Sequence, residues 1–205
     1  MGKILLLGDI TQPRYHSLQE INPLIDPIRE KHDLVVSEEY QEITKDYLRG
    51  FDLVMNYIDN WEDRGNEEAE LALCDYVAEG GRILTLHCGI IVKSAARLLE
   101  LHGGSFRGHE EYGLLRYKKS QEHFITKDME SFSIYEEPYE FDFNKHPQLE
   151  LILEYERNGK TYPAAWTTKE GQGKLVYLAF GHDKNTFVEK SVLELILKSI
   201  DWLLQ

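Results

Sequence analysis

Three short apolar runs punctuate the first part of the chain: KILLLGD at residues 3–9, DLVVS at 33–37 and FDLVMNY at 51–57. Runs of this length without polar alternation predict parallel strands covered on both faces. Between the first two lies YHSLQEINPLIDPIREKH, where Ser17-x-x-Glu20 and Asn22-Pro23 compete as helix starts and Pro27 would remove an interior hydrogen bond. A helix is predicted there without a fixed first residue. From Asn66 the text NEEAELALCDYVAEGG supplies an N-cap, an acidic first turn, apolar positions at Ala69, Ala72, Leu73, Tyr76 and Val77, and Gly80 as a stop. RILTLH then predicts a fourth strand, and IIVKSAARLLELHGG a helix closed by Gly103. This alternation implies right-handed crossovers and an α/β fold: a doubly wound, mostly parallel sheet with helices on both faces.

The pattern changes over residues 113–155, where short β-like pieces are separated by polar turns. They read as excursions on the sheet rather than a further domain. Order returns with YPAAWTT and GKLVYLAFGHD as strands, and Thr186-x-x-Glu189 predicts the start of an amphipathic helix through Val188, Val192, Leu195, Ile196, Ser199 and Leu203.

A length of 205 residues fits one domain spanning 1–205. Lys and Arg total 23 against 36 for Asp and Glu, a formal charge of −13. Such a chain repels a nucleic-acid backbone and disfavours an anionic membrane surface. The apolar residues 4–7 are broken by Gly8 and Asp9, too short a run for a signal core or a span, so a cytoplasmic protein is expected. The two cysteines, Cys74 and Cys88, form neither a disulfide framework nor a C-x-x-C unit, which fits a reducing compartment.

In an open parallel sheet, ligands bind beyond the carboxyl ends of the strands. The residues found there are Gly8-Asp9 with His16 downstream, Tyr57 to Trp61, His87-Cys88-Gly89, and Gly181-His182-Asp183. In a sharp strand-to-helix elbow, the residue two before the glycine is thrust into the site. Here that residue is His87, and Cys88 is expected to point down as a small packed hydrophobe.

GGRILTLHCG, LHGGSFRGH, EEPY, the P-x-x-W of YPAAWTT, and GQGKLVYLAFGHD together resemble the ThuA-like family, named for trehalose utilisation. The resemblance spans nearly the whole chain. It implies a flavodoxin-like, class I glutamine amidotransferase-like fold in which a histidine replaces the catalytic cysteine at the elbow, as His87 does. By the same resemblance the first-loop histidine is His16, the histidine after G-G-x-x-x-G is His109, and the acidic-Glu-x-Tyr element is Glu136, Glu137 and Tyr139. The closing Gly-His-Asp matches Gly181, His182 and Asp183. Glu136 departs from the aspartate expected at its position.

Imidazoles, a carboxylate and a phenol can supply acid and base groups near neutral pH, so His87, Glu137 and His182 are the candidate catalytic residues. No cofactor is required for this chemistry. The alternative is a divalent metal such as zinc, whose usual count of three protein ligands His87, Glu137 and His182 would meet. Tyr57, Trp61, Tyr139 and Trp166 are candidate platforms for a sugar ring, with His16, His109 and Asp183 binding its hydroxyls. Trp166 could equally be core, and Gly103, Gly104 and Gly108 either offer amides to an oxyanion or simply cap and turn. His32, His102, His123 and His146 read as surface or structural.

The function expected is an enzyme acting on a carbohydrate, a keto-sugar or disaccharide derivative. One alternative is a non-catalytic small-molecule or interaction module on the same scaffold. Another is a thiol hydrolase or amidotransferase using Cys88. A homodimer is expected by analogy with related folds.

Overall fold

The computed structural model describes residues 1–92 and 95–205. The first apolar run forms strand β1 (Lys3–Gly8). Ile4 and Leu6 enter the core on one face of the sheet, Leu5 and Leu7 the core on the other. A strand buried on both sides needs no polar alternation, which is why the run is continuous. Beyond it the Ser17 hydroxyl accepts from the Gln19 amide (3.3 Å) to cap a 3-10 turn at Leu18–Ile21, and Asn22-Pro23 then opens helix α1 (Asn22–Arg29) with Pro27 inside it. Both predicted starts are used, in succession.

β2 (Asp33–Ser37), the one-turn helix α2 (Lys45–Leu48) and β3 (Leu53–Tyr57) follow. Next come α3 (Trp61–Arg64) and α4 (Glu67–Ala78), the latter capped by Asn66, whose side chain accepts from the Ala69 amide at 2.7 Å. β4 (Arg82–Leu86) runs into a 3-10 turn at His87–Ile90. The helix predicted over 90–103 begins only at Ala96, as α5 (Ala96–His102), and ends on Gly103 at φ +79°. Lys93 and Ser94 of that prediction lie outside the described residues.

The polar middle of the chain supplies β5 (Gly104–His109), β6 (Gly113–Lys119), β7 (Phe132–Glu136), β8 (Tyr139–Phe143) and β9 (Glu150–Arg157). β10 (Lys160–Glu170) and β11 (Gly173–Leu178) complete the strands. The predicted last helix is broken in two, α6 (Lys184–Val188) and α7 (Lys190–Leu203), with Glu189 extended between them and Val188 exposed. The Thr186 capping box does not form because the Thr186 hydroxyl donates to Glu136 (2.9 Å), while Asp183 caps α6 through the Asn185 and Thr186 amides.

Nine strands make one sheet in the order β2-β1-β3-β4-β11-β10-β9-β6-β7. Pairing is parallel from β2 through β11 and antiparallel from β11 to β7. The parallel sheet read from the alternation is therefore one wing of a mixed sheet. The segment read as excursions supplies part of the second wing, while β5 and β8 pair by themselves. Helices α1 and α7 cover one face and α4 and α5 the other. Among the described residues no helix is long and apolar enough to cross a membrane.

Candidate functional site

Residues just past the ends of β1, β3, β4 and β11, four neighbouring strands, converge on one cavity of about 440 Å³. Its walls include Arg14, His16, Phe106, His109, Tyr139 and His182. Glu137 reaches it from the turn between β7 and β8, at the far end of the antiparallel wing. That wing curls back on the parallel strands, because Glu136 accepts hydrogen bonds from the Gly181 amide (2.8 Å), the His182 amide (3.3 Å) and the Thr186 hydroxyl (2.9 Å). Its other oxygen accepts from the Glu137 amide (2.9 Å). A fully buried carboxylate is retained only with its acceptor capacity met, and here it ties the His182 loop to Glu137.

His87 stands at the elbow with φ +39°, a left-handed backbone unusual for a residue with a Cβ. Gly89 makes the turn feasible, since a Cβ there would sit 2.5 Å from the Asn56 carbonyl oxygen. Gly181, at φ +132°, lets the opposite loop approach within reach of the His87 side chain. The Nδ1–H of His87 donates to the Ala179 carbonyl (2.7 Å), which turns Nε2 inward. Tyr139 stacks on the imidazole with ring centroids 4.1 Å apart.

His16 is held in the same manner. Its Nδ1–H donates to Asp59 (2.8 Å), so its Nε2 also faces inward, 3.1 Å from Nδ1 of His182. Asp59 accepts from the Tyr15 amide as well, and its own amide donates to the buried Asp9 (2.9 Å). Asp9 further accepts from the Asn60 amide, the Tyr40 hydroxyl and Arg64, fixing the loop after β3.

At the centre, one Glu137 oxygen lies 3.2 Å from His182 Nδ1, 3.3 Å from His87 Nε2 and 3.9 Å from His16 Nε2. These four ligand atoms all fall within 4.8 Å of one another. Burial works to raise the Glu137 carboxyl, but the adjoining imidazoles of His182 and His87 outweigh it and hold the group far below the carboxylate range. The Glu137 contact raises His182 above the usual imidazole range, whereas burial lowers His16 despite its bond to Asp59.

His87 Nε2 therefore faces a carboxylate oxygen, with no hydrogen-bond partner among the described residues. Such a close pair needs positive charge between the two atoms, which a proton on Nε2 or a metal ion supplies. Three imidazoles, two of them with the outer N–H anchored by a carboxylate or carbonyl, plus one carboxylate match the way proteins present ligands to zinc-like ions. The residues fit a divalent metal, with His16 joining the three expected from sequence. A second grouping, His16, Asp59 and Cys88, is as compact, but His16 Nδ1 is already engaged by Asp59.

Cys88 is no nucleophile. It is fully buried, its thiol donates to the Tyr57 carbonyl (3.6 Å), and burial pushes its pKa well above normal. The aromatic platforms need correction too. Trp61 is sealed in the core against Tyr40, and Trp166 is wholly buried with its indole N–H on the His102 carbonyl (2.7 Å). Tyr57 is also buried, its hydroxyl donating to the Gly181 carbonyl (2.7 Å), so it braces the His182 loop instead of meeting a ligand. Asp183 caps α6. Tyr139 does line the cavity, backed by Phe106 at 4.4 Å between centroids, and His109 stands at the mouth, 38% exposed. Its Nδ1–H donates to the Glu110 carbonyl (2.8 Å), leaving Nε2 as an acceptor 3.8 Å from the second Glu137 oxygen.

Sequence reasoning puts Asp9, and Asp59 within Tyr57 to Trp61, at the strand ends but gives neither a role, and the clamping role of Glu136 escapes it. Asp9 had a signal, since it directly follows a predicted strand; Asp59 and Glu136 act through contacts across 43 to 50 residues.

The fold recurs in solved structures. A ThuA-like protein of Parabacteroides merdae superposes with a TM-score of 0.79 at 13% identity, covering 100% of this chain and 90% of that one. One of Bacteroides uniformis gives 0.76 at 15%, covering 98% and 90%. A cytoplasmic protein of Salmonella typhimurium gives 0.71 at 14%, covering 98% of each. No curated protein matches by sequence. The family model described as ThuA, trehalose utilisation, matches residues 3–203, and the chain belongs to the ThuA family.

Proposed function

We propose that this chain is a divalent-metal-dependent enzyme acting on a carbohydrate that carries a carbonyl, a keto-sugar or disaccharide derivative, with the ion held by His16, His87, His182 and Glu137. The supporting observation is His87 Nε2 set 3.3 Å from Glu137 without a hydrogen-bond partner among the described residues, in a ring oriented by Ala179, beside Nε2 of His16 and Nδ1 of His182. The family description, trehalose utilisation, supports the sugar.

A bound ion such as zinc would supply Lewis acidity toward a substrate carbonyl oxygen. The protein's own residues divide the remaining work. His109, with Nε2 free at the mouth, takes a proton from the carbon next to that carbonyl and returns it, while its Nδ1–H stays on Glu110. Tyr139 and Phe106 cover an apolar sugar face, and Arg14 and Glu62, paired at 3.2 Å on the rim, are available to hydroxyls. His87, Glu137 and His182 thus act as ligands rather than as the proton carriers.

The test is elemental analysis of the purified protein with a turnover screen on keto-disaccharides, before and after chelation. The reading expects a stoichiometric divalent ion, turnover lost on chelation and restored by zinc, and both lost in His87→Ala. Undiminished turnover by metal-free protein removes the ion from the mechanism. Sugar binding without turnover identifies a binding module.

A further inference from the structure

The two margins of the nine-stranded sheet are unlike. β2 closes one of them with acids at both ends, Asp33 at its start and Glu38 and Glu39 directly after it. β7 closes the other, and apart from its ladder with β6 its backbone has no hydrogen-bond partner among the described residues. Its stretch Ser131-Phe132-Ser133-Ile134-Tyr135 carries neither charge nor proline, in a chain that is 29% charged. The acid that follows, Glu136, is turned inward onto Gly181 and Thr186. Free edges are ordinarily guarded by charge, proline or a covering element, and the first two are missing here.

The face beside this edge is apolar. Leu114 and Tyr135 are register partners on β6 and β7, so they share a face, and they are 58% and 62% exposed. Tyr112, exposed as well, stacks on Tyr135 with ring centroids 6.2 Å apart. Three contiguous large side chains left in water beside an unpaired edge mark a contact surface. A charged foreign peptide would find no counter-charge along residues 131–135, whereas an identical strand needs none. We propose that β7 pairs antiparallel with β7 of a second copy across a two-fold axis, and that each copy covers Leu114 and Tyr135 of the other. An edge that pairs with itself closes the assembly, and the acid-flanked β2 edge adds no further copy, so the product is a dimer and not a filament. Tyr112 also lies against His182, with ring centroids 5.3 Å apart, so the interface borders the cavity mouth without depending on an ion or a substrate.

Analytical ultracentrifugation of the full chain tests this. The wild type should sediment as a dimer at about 100 µM, a concentration that populates even a micromolar complex. Two chains of charge −13 repel, so a dimer held by backbone and apolar contacts should tighten as salt rises from about 50 to 500 mM. Tyr135→Glu and Ser133→Lys each enter the dimer twice and should raise its dissociation constant about a hundredfold, tenfold for each copy. Both residues are exposed, so the monomer should keep its fold. Tyr47→Glu, an exposed site on α2, should leave the dimer unchanged. Amide hydrogen exchange over residues 132–135 should slow as the dimer forms. A monomeric wild type, a dimer indifferent to both β7 variants, one broken equally by Tyr47→Glu, or one in which those amides exchange as fast as in the monomer overturns the proposal.

Discussion

His87 shows how much one side chain's usefulness depends on atoms it does not own. In the proposed metal site its inward nitrogen would serve as a ligand because the Ala179 carbonyl accepts from the other ring N–H, and the same logic makes Asp59 the determinant of His16. Removing such a partner usually costs a metal site ten- to a hundredfold in affinity. Asp59→Asn should therefore bind zinc roughly ten- to a hundredfold more weakly in a chelator competition, and an unchanged affinity would detach Asp59 from the site. Cys88 supports the opposite expectation. Buried and held neutral, it should resist iodoacetamide until urea unfolds the chain, and prompt labelling of the folded protein would contradict its placement. The position of His87 was legible, since two residues before a glycine at an elbow is a geometric address. The roles of Asp59 and Glu136 were not, because nothing local distinguishes a carboxylate that bonds a loop many residues away. At position 136, where the family resemblance leads one to expect aspartate, the longer arm of glutamate reaches three donors of the 181–186 segment while its second oxygen holds Glu137.

Elements place these residues, and their legibility followed burial. β1, β3 and β4 declared themselves because both faces are covered. In the antiparallel wing YPAAWTT reads as a strand and 113–155 as β-like pieces, but the pattern does not give their place in the main sheet. Alternation such as that of β6, where Leu115 and Tyr117 turn inward while Leu114 and Arg116 face solvent, marks a half-buried strand without naming its neighbours. Position after a strand also failed to say which aromatics would face the cavity. Trp61, Tyr57 and Trp166 offer too much apolar surface to leave in water when a core lies beside them. The elbow itself is a tight junction, since Gly89 packs on the Asn56 carbonyl of β3 and its own carbonyl accepts from the Asn56 side chain (2.9 Å). Overpacking of this kind costs about 1–3 kcal/mol. Gly89→Ala should lose about that much in urea unfolding and bind metal less tightly because His87 shifts with the turn. Full stability in that variant would mean that β3 and the elbow separate more freely than the close approach suggests.

Across the whole molecule, His102 knits together the parts that carry the site. Its Nδ1–H donates to Leu98 in α5 (2.6 Å), its Nε2 accepts from Thr85 in β4 (2.9 Å), and its carbonyl receives the Trp166 indole from β10. A fully buried imidazole so arranged is neutral, and burial lowers its pKa to about 4 from 6.5. Above pH 6.5 neither the folded nor the unfolded chain protonates it. Between 6.5 and 4 the unfolded chain takes up a proton that the folded chain refuses, so stability falls as pH falls, by about 3 kcal/mol at the lower limit. Below pH 4 both states are protonated and this contribution stops growing. Urea titrations of the wild type and of His102→Gln, run from pH 7 to 4, isolate the effect, because every other titrating group is common to both. The variant should be less stable at pH 7, having lost its fit to Thr85 and Leu98, and the gap should close steadily as the wild type's own histidine turns against it. A gap that stays constant over that range would mean that His102 exchanges protons with solvent in the folded state, and that the junction between α5, β4 and β10 opens far more readily than its packing implies.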